Sequence, residues 1–453
     1  MNLATKLAAR AAEGRPVTVG LIGAGKFGTM FLAQARKTVG LHVVGIADLS
    51  VPRARAALAS CGWEAERVSA RSLGDAVDTK RTFVTDDADS LIAHPGIEVI
   101  VEATGDPRAG IRFCLRTIDA GKHIVMVNVE ADVVAGPLLA ARAREKGVVY
   151  SLAYGDQPAL ICEQVDWARA CGFEVVSAGK GTRYHPDFHR STPDTVWTNF
   201  GFSAEMAAKG GMNPKMFNSF IDGSKSGIEM TAVSNATGLL AQSDGLAFPP
   251  CPAPDLAKVC KPRDKGGVLE RRGTVEVVSS LDRDMRPVPN HLQWGTYVVV
   301  AADHEYVRRC AAEYCMLPDE TCEHMALYRP IHMIGLEIGI SVASAALRGE
   351  ATGAPVAFHS DVAATAKRAL KKGEVLDGEG GYCVWGKQVP ADTSLARGYL
   401  PLGLASHVTL KCDIAEGGLV RWEDVDYDAT DAAVRVRREM EAAFARPNSR
   451  AAD

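Results

Sequence analysis

The residues with the clearest chemical promise are three glycines and an aspartate. The run Gly23-Ala24-Gly25-Lys26-Phe27-Gly28 follows an apolar stretch and opens a helix-forming one, which is the strand–turn–helix setting of a dinucleotide fingerprint. Gly23 permits the tight turn, Gly25 lets the backbone approach a pyrophosphate, and Gly28 lets helix and strand pack; Lys26 and Phe27 share the cofactor site. Asp48 ends the next apolar run, twenty residues after Gly28, where it would accept hydrogen bonds from ribose hydroxyls and favour NAD. Arg53 and Arg55 stand just beyond. Either they clamp a 2′-phosphate or they belong to a solvated helix face, so NAD and NADP both stay open. Thr104, Gly105 and Asn128, with Glu102 and Glu130, close later strand-like runs and are expected to line the nicotinamide pocket.

A second cluster is Asp222, Lys225 and Glu229. On a helix, offsets of three and seven residues put them on one stripe, where a lysine beside carboxylates can donate a proton to a developing alkoxide. The same carboxylates could hold a divalent ion such as Mg or Mn, although no metal ligand set is identified. An exposed ion-pair ladder is the plainer alternative, and two glycines weaken any helix there. Lys180, Arg183, His185, His189 and Arg190 place five possible cations within eleven residues. On a loop, they would dock a phosphorylated or carboxylated substrate or simply be solvated. Cys310, Cys315, Cys322 and His324 lack the close CxxC pair of a structural zinc site and read as incidental.

The elements needed to position these groups follow from the apolar pattern. Strands and helices alternate from residue 17 to about 180, as in an open parallel sheet. The composition changes after Gly179, where a loop and a second domain are expected. Residues 249–266, rich in Pro, Lys and Asp, read as an exposed excursion, and 333–347 as a tightly packed buried helix. Lys367, Leu370, Gly373 and Leu376 recur forty-four positions on as Lys411, Ile414, Gly417 and Val420, which implies a pseudo-symmetric β-rich module with a Gly turn in each half. The charged tail after Tyr427 reads as a fraying helix.

Composition narrows the function classes. With 453 residues, 47% hydrophobic and 23% charged, the chain is too long for one core and too apolar for disorder. A net charge of -4 gives no global cationic field for nucleic acid or membrane. Eleven cysteines without a CxxC pair, and no signal-peptide core, point to a reducing compartment, the cytoplasm.

On GAGKFG, MVNVEAD at 126–132, GDQPA at 155–159, GKGTRY at 179–184, DGSKSGIEM at 222–230 and the doubled C-terminal phrases, the chain resembles homoserine dehydrogenase-like oxidoreductases with a C-terminal SAF domain. It resembles most the DXR-like (DRL) class of 1-deoxy-D-xylulose 5-phosphate reductoisomerase. Val129 stands where homoserine dehydrogenases place a catalytic lysine after the asparagine, so homoserine is not the substrate expected from the resemblance. The resemblance implies an α/β fold: a Rossmann domain at 15–155, an α+β catalytic and dimerisation domain at 156–355, and a small β-rich SAF-like domain at 356–430. It implies a soluble homodimer or higher homo-oligomer that uses NADPH to convert 1-deoxy-D-xylulose 5-phosphate to 2-C-methyl-D-erythritol 4-phosphate. Lys225 would be the acid, Asp222 and Glu229 its tuners or metal ligands, and Lys180, Arg183 and His185 the phosphate clamp, with Asn128 beside the substrate. A homoserine dehydrogenase-like enzyme acting on a small polyol or hydroxy acid is the first alternative. A non-catalytic cofactor- or sugar-sensing regulator is the second.

Overall fold

The computed structural model describes residues 2–209 and 212–445. The chain packs as two compact units: residues up to Leu160 with Met333–Val356, and Ile161–His332 with the chain from Ala357 onward.

In the first unit, Val17–Ile22 (β1), Leu41–Ala47 (β2), Phe83–Thr85 (β3), Val99–Glu102 (β4), His123–Met126 (β5) and Tyr150–Leu152 (β6) form one parallel sheet in the order β3-β2-β1-β4-β5-β6. This is the Rossmann order, which opens a ligand crevice at the carboxyl ends of β1 and β4, where the strand order reverses. The strands are Val- and Ile-rich because both faces are covered. Val19, Leu21, Val99 and Val101 pack on Phe31 and Leu32 of the helix Lys26–Ala35, while Ile22, Val44 and Ile100 face Leu91 and Phe113 on the other side.

Met333–Val356 belongs to this unit, not to the catalytic domain expected to run to 355. The reason is packing: Ile338, Val342 and Ala343 complete the core on the β1–β4–β5 face. The helix itself is Gly339–Arg348, shorter at its start than the expected 333–347, so Glu337 precedes it. Among the described residues no helix is long and apolar enough to cross a membrane.

The second unit is built on Glu174–Thr182 (β7), Thr274–Ser279 (β8), Thr296–Ala301 (β9) and His324–Arg329 (β10), in the order β10-β9-β7-β8. Only β7 and β8 run parallel. One face takes Met230 and Val233 of the helix Ser224–Thr237. The other takes Cys251, Leu256, Ala257 and Cys260. The segment expected to be an exposed excursion is thus half core: its prolines and charges turn at the surface while its apolar residues cover the sheet. Equally, β7 continues through Thr182, so Lys180 is a strand residue and no loop begins at Gly179.

Ser360–Ala366 (β11), Val375–Asp377 (β12), Val384–Pro390 (β13), Ser406–Leu410 (β14) and Val425–Asp426 (β15) form the C-terminal module, within the second unit and not as a compact unit of its own. Its repeats interlock as the sequence predicts. Leu370 and Ile414 exchange backbone hydrogen bonds of 2.9 and 3.0 Å, and Gly373 N–H donates to Leu410 O (2.8 Å) as Gly417 N–H does to Ala366 O (2.9 Å). Exchanging the copies maps each bond onto its mate. Gly373 and Gly417 both sit at left-handed φ, 89° and 76°, where a side chain would be strained. The terminal helix Ala432–Phe444 is anchored, not frayed: Arg437, fully buried, pairs with Asp361 and Glu441. The rest of the tail, 446–453, lies outside the described residues.

Candidate active site

In the first unit each glycine of the turn has its own steric reason. Gly23 has φ +94°, and a Cβ there would stand 2.6 Å from Ala103 O; on Gly28 it would stand 2.2 Å from Gly23 O. A Cβ on Gly25 would meet nothing within 4 Å, so the backbone there borders open space. Gly25 is the N-cap of Lys26–Ala35 and makes no side-chain cap, which leaves the first amides of the helix aimed at that space. Open backbone and uncapped amides fit a pyrophosphate. Lys26 is exposed and Phe27 half-buried beside them.

Asp48 is buried and already engaged. Its Oδ2 accepts from Ala24 N–H (2.9 Å), and its Oδ1 from Ser50 N–H (2.9 Å) and the Arg53 guanidinium (2.6 Å). The carboxylate therefore ties the glycine turn to the end of β2, and Arg53, 62% exposed, reaches outward from it. At the end of β4, Glu102 accepts from Thr104 N–H (2.9 Å) and fixes the loop carrying Thr104 and Gly105. Burial pushes the Glu102 carboxyl up to about 7. Asn128 is buried and caps the helix Val129–Glu145: its Oδ1 accepts from Ala131 N–H (3.1 Å), and its Nδ2 donates to Asp106 O (2.9 Å). Its first task is to hold two crevice loops together.

In the second unit the expected cluster divides. Asp222 is not on a helical stripe with Lys225 and Glu229, because Gly223 (φ 95°) breaks the chain between the helix Pro214–Ile221 and Ser224–Thr237. Asp222 instead faces Lys367, 2.7 Å away. Glu229 pairs with Lys180 of β7, and both side chains are almost wholly buried. In the buried helix Ser224–Thr237 only Lys225 and Ala236 are not fully covered.

Each residue of the expected phosphate clamp is engaged by a protein partner. Lys180 is matched by Glu229, Arg183 Nε donates to Asn199 O (2.9 Å), and His185 Nε2 donates to Arg283 O (3.2 Å) while its Nδ1 accepts from Asp187 N–H. Lys180 is on β7, Arg183 follows it, and His185 is the N-cap of the short helix Pro186–Arg190.

His332 escaped the sequence, as did the pairing of His189, read there only as a possible cation, with Tyr184. His332 feels both Glu229 and Lys180, with burial first pulling its pKa down, and its Nδ1–H donates to Trp294 O (2.8 Å). His189 donates from Nδ1 to Asp222 O (2.7 Å), which leaves Nε2 to accept from Tyr184 O–H (2.9 Å). Burial pushes Tyr184 up to about 12 and His189 down, so both are neutral near pH 7. Tyr184 lies in the GKGTRY phrase, but nothing local marks its pairing with His189. Among the described residues no group of three or more His, Cys, Asp or Glu is placed to hold a metal ion. His324, from the Cys-rich stretch, is buried on Asp319 instead (2.9 Å).

Residues 19–152 match the family model described as homoserine dehydrogenase, NAD binding domain, and 155–338 the one described as oxidoreductase DRL, catalytic domain. A homoserine dehydrogenase of Pseudomonas aeruginosa is 31% identical over 135 residues, 30% of this chain and 28% of that enzyme, so the match spans under a third of that relative. Among solved structures, an oxidoreductase domain protein from Kribbella flavida aligns at TM-score 0.26 and 15% identity, over 37% of this chain and 42% of that one. Myo-inositol dehydrogenase from Lactobacillus casei aligns at TM-score 0.27 and 19% identity, over 41% of this chain and 50% of that one. The chain thus joins an NAD(P)-binding Rossmann domain similar to that of homoserine dehydrogenase to a domain similar to the DRL oxidoreductases, the fold of an oxidoreductase.

Proposed function

We propose that the protein is an NAD(P)-dependent dehydrogenase of a small polyol or hydroxy acid. The first unit supports cofactor binding: the open backbone at Gly25 and the uncapped helix amides accept a pyrophosphate, and Thr104, Gly105 and Asn128 shape the adjoining loops. Bound there, the nicotinamide supplies or removes a hydride.

The observation that carries the reading is the buried Lys180–Glu229 pair. Interconverting a carbonyl and an alcohol needs, besides the hydride, one proton at the oxygen. The Lys180 ammonium is suited to donate it to the developing alkoxide, and Glu229 holds that ammonium in place and stabilises its charge. Lys225, half-covered near the start of the same helix, takes the part of a substrate ligand, not of the acid.

Reductoisomerisation of 1-deoxy-D-xylulose 5-phosphate is the second reading, favoured by the match of 155–338 to the DRL description. It needs a phosphate site, and Lys180, Arg183 and His185 are each already engaged by protein partners.

The test is a turnover screen by nicotinamide absorbance: polyols and hydroxy acids with NAD⁺ and NADP⁺, and the phosphorylated ketose with NADPH. Oxidation of an unphosphorylated alcohol, reduced about a hundredfold or more by Lys180→Met with cofactor affinity unchanged, is the expected result. Turnover of the ketose phosphate alone moves the assignment to the second reading. Full activity in Lys180→Met removes the proton-transfer role.

A further inference from the structure

We propose that the C-terminal repeat module is the socket of the helix Ser224–Thr237 and that Lys367 is the positioning residue that seats it. The roles given to Glu229 and Lys225 rest on the dehydrogenase reading above; the seating does not.

The repeat supplies its own control. Lys367 and Lys411 occupy the same place in the two copies, and the residues before them make equivalent bonds: Ala366 N–H donates to Gly418 O and Leu410 N–H to Glu374 O, both 2.9 Å. Lys411 is exposed, whereas Lys367 is 4% exposed. The repeat fold therefore does not require a buried lysine at that place. Burying an ammonium is unfavourable unless its donors are met. Lys367 donates to Ser191 O (2.6 Å) and Gly381 O (2.7 Å), and its charge is paired by the Asp222 carboxylate, 2.7 Å away.

Asp222 passes this restraint to the helix. Its Oδ1 accepts from Ser224 N–H (2.9 Å), an amide that the helix cannot satisfy internally. Two further contacts from the module reach the same turn. Gly386 N–H on β13 donates to Ser224 Oγ (2.9 Å), and Trp385 stacks at 3.7 Å on His189, the ring that donates to Asp222 O. All of them bear on residues 222–224. Lys225 is the next residue, and Glu229 follows little more than one turn later on the same rigid rod. A shift of the first turn would carry Glu229 away from Lys180, and misplacement by about 1 Å can cost on the order of a hundredfold in rate.

Hydrogen–deuterium exchange of the full-length protein tests the seating without a substrate. In Lys367→Met, peptides covering 222–237 should exchange about tenfold faster or more, while those of the first unit and those around Leu370 and Ile414 keep their rates. Lys411→Met should change none of them. Wild-type exchange at 222–237 in Lys367→Met overturns the proposal, and so does equal loosening of the repeat, which would make Lys367 a stabiliser of the module alone. Should Lys367→Met fail to fold, Asp222→Asn keeps the size and the Oδ1 acceptor for Ser224 N–H but turns an amide NH2, in place of the carboxylate oxygen, toward Lys367. It is expected to give the same local pattern, and wild-type rates there would also overturn the proposal. With an alcohol substrate from the turnover screen, kcat should fall about tenfold in Lys367→Met at unchanged cofactor KM. Because the exchange result stands apart from turnover, failure of the dehydrogenase reading and failure of the seating are separately visible.

Discussion

At residue scale, Asp48 and Arg53 decide how the ribose end of a cofactor is read. A bare aspartate at the end of β2 would offer both oxygens to ribose hydroxyls and repel a 2′-phosphate. Here Ala24 and Ser50 amides and Arg53 already take those oxygens, and the guanidinium stands between the carboxylate and solvent. Arg53→Ala is therefore expected to weaken NADPH binding about tenfold or more, as for one lost charge-assisted contact, and to leave NADH within about twofold. Fluorescence titration of both cofactors checks it; equal weakening of the two would reduce Arg53 to a prop for Asp48. The glycines, Asp48 and the arginine were legible because their spacing along one strand–turn–helix is local. The Lys180–Glu229 and Asp222–Lys367 pairs were not, because each joins residues far apart in sequence and neither partner's local pattern names the other.

At element scale, the parallel strands and the forty-four-residue repeat were legible because periodicity and self-similarity are sequence properties. The helix Ser224–Thr237 was not: it is covered nearly all round, so no apolar stripe marks a face, and the break at Gly223 moved Asp222 off it. Its close packing yields a contrast between two glycines. A Cβ on Gly227 would stand 2.7 Å from Gly386 O, a backbone atom that cannot swing away. Alanine gains up to about 1 kcal/mol of helix propensity there, but overpacking costs about 1–3 kcal/mol, so Gly227→Ala should lower the melting temperature. A Cβ on Gly339 meets nothing within 4 Å, and Gly339→Ala should be neutral or stabilising. Thermal unfolding of the two variants side by side decides the matter; an unaffected Gly227→Ala would mean that helix and β13 can separate at little cost.

At the scale of the whole molecule, stability is tied to pH through acids that the sequence does not distinguish from solvated ones. Burial pushes the carboxyls of Glu102, Asp132 and Glu276 each up to about 7. Unfolded, they release their protons near pH 4; folded, they keep them to about 7. Across that window the folded chain binds more protons, so the contribution of these groups to stability is greatest at low pH and is lost as pH rises to about 7. Histidines 42, 123, 189, 332 and 359, held low by burial, act oppositely: their contribution is present above about 6.5 and lost as pH falls. The two sets offset each other in the wild-type curve, so one acid must be isolated by difference. Asp132→Asn is suited to this, because its Oδ1 can still accept from Tyr150 O–H, 2.6 Å away in the native protein. Relative to wild type, the variant should gain stability steadily between pH 4 and pH 7 and hold the gain above. The gain is roughly 4 kcal/mol for the full raised pKa, while the buried amide left to satisfy adds an offset of about 1–3 kcal/mol that is the same at every pH. Denaturant unfolding at pH 5, 6, 7 and 8 measures it, and a difference that stays constant with pH would show that Asp132 is ionised in the folded protein throughout.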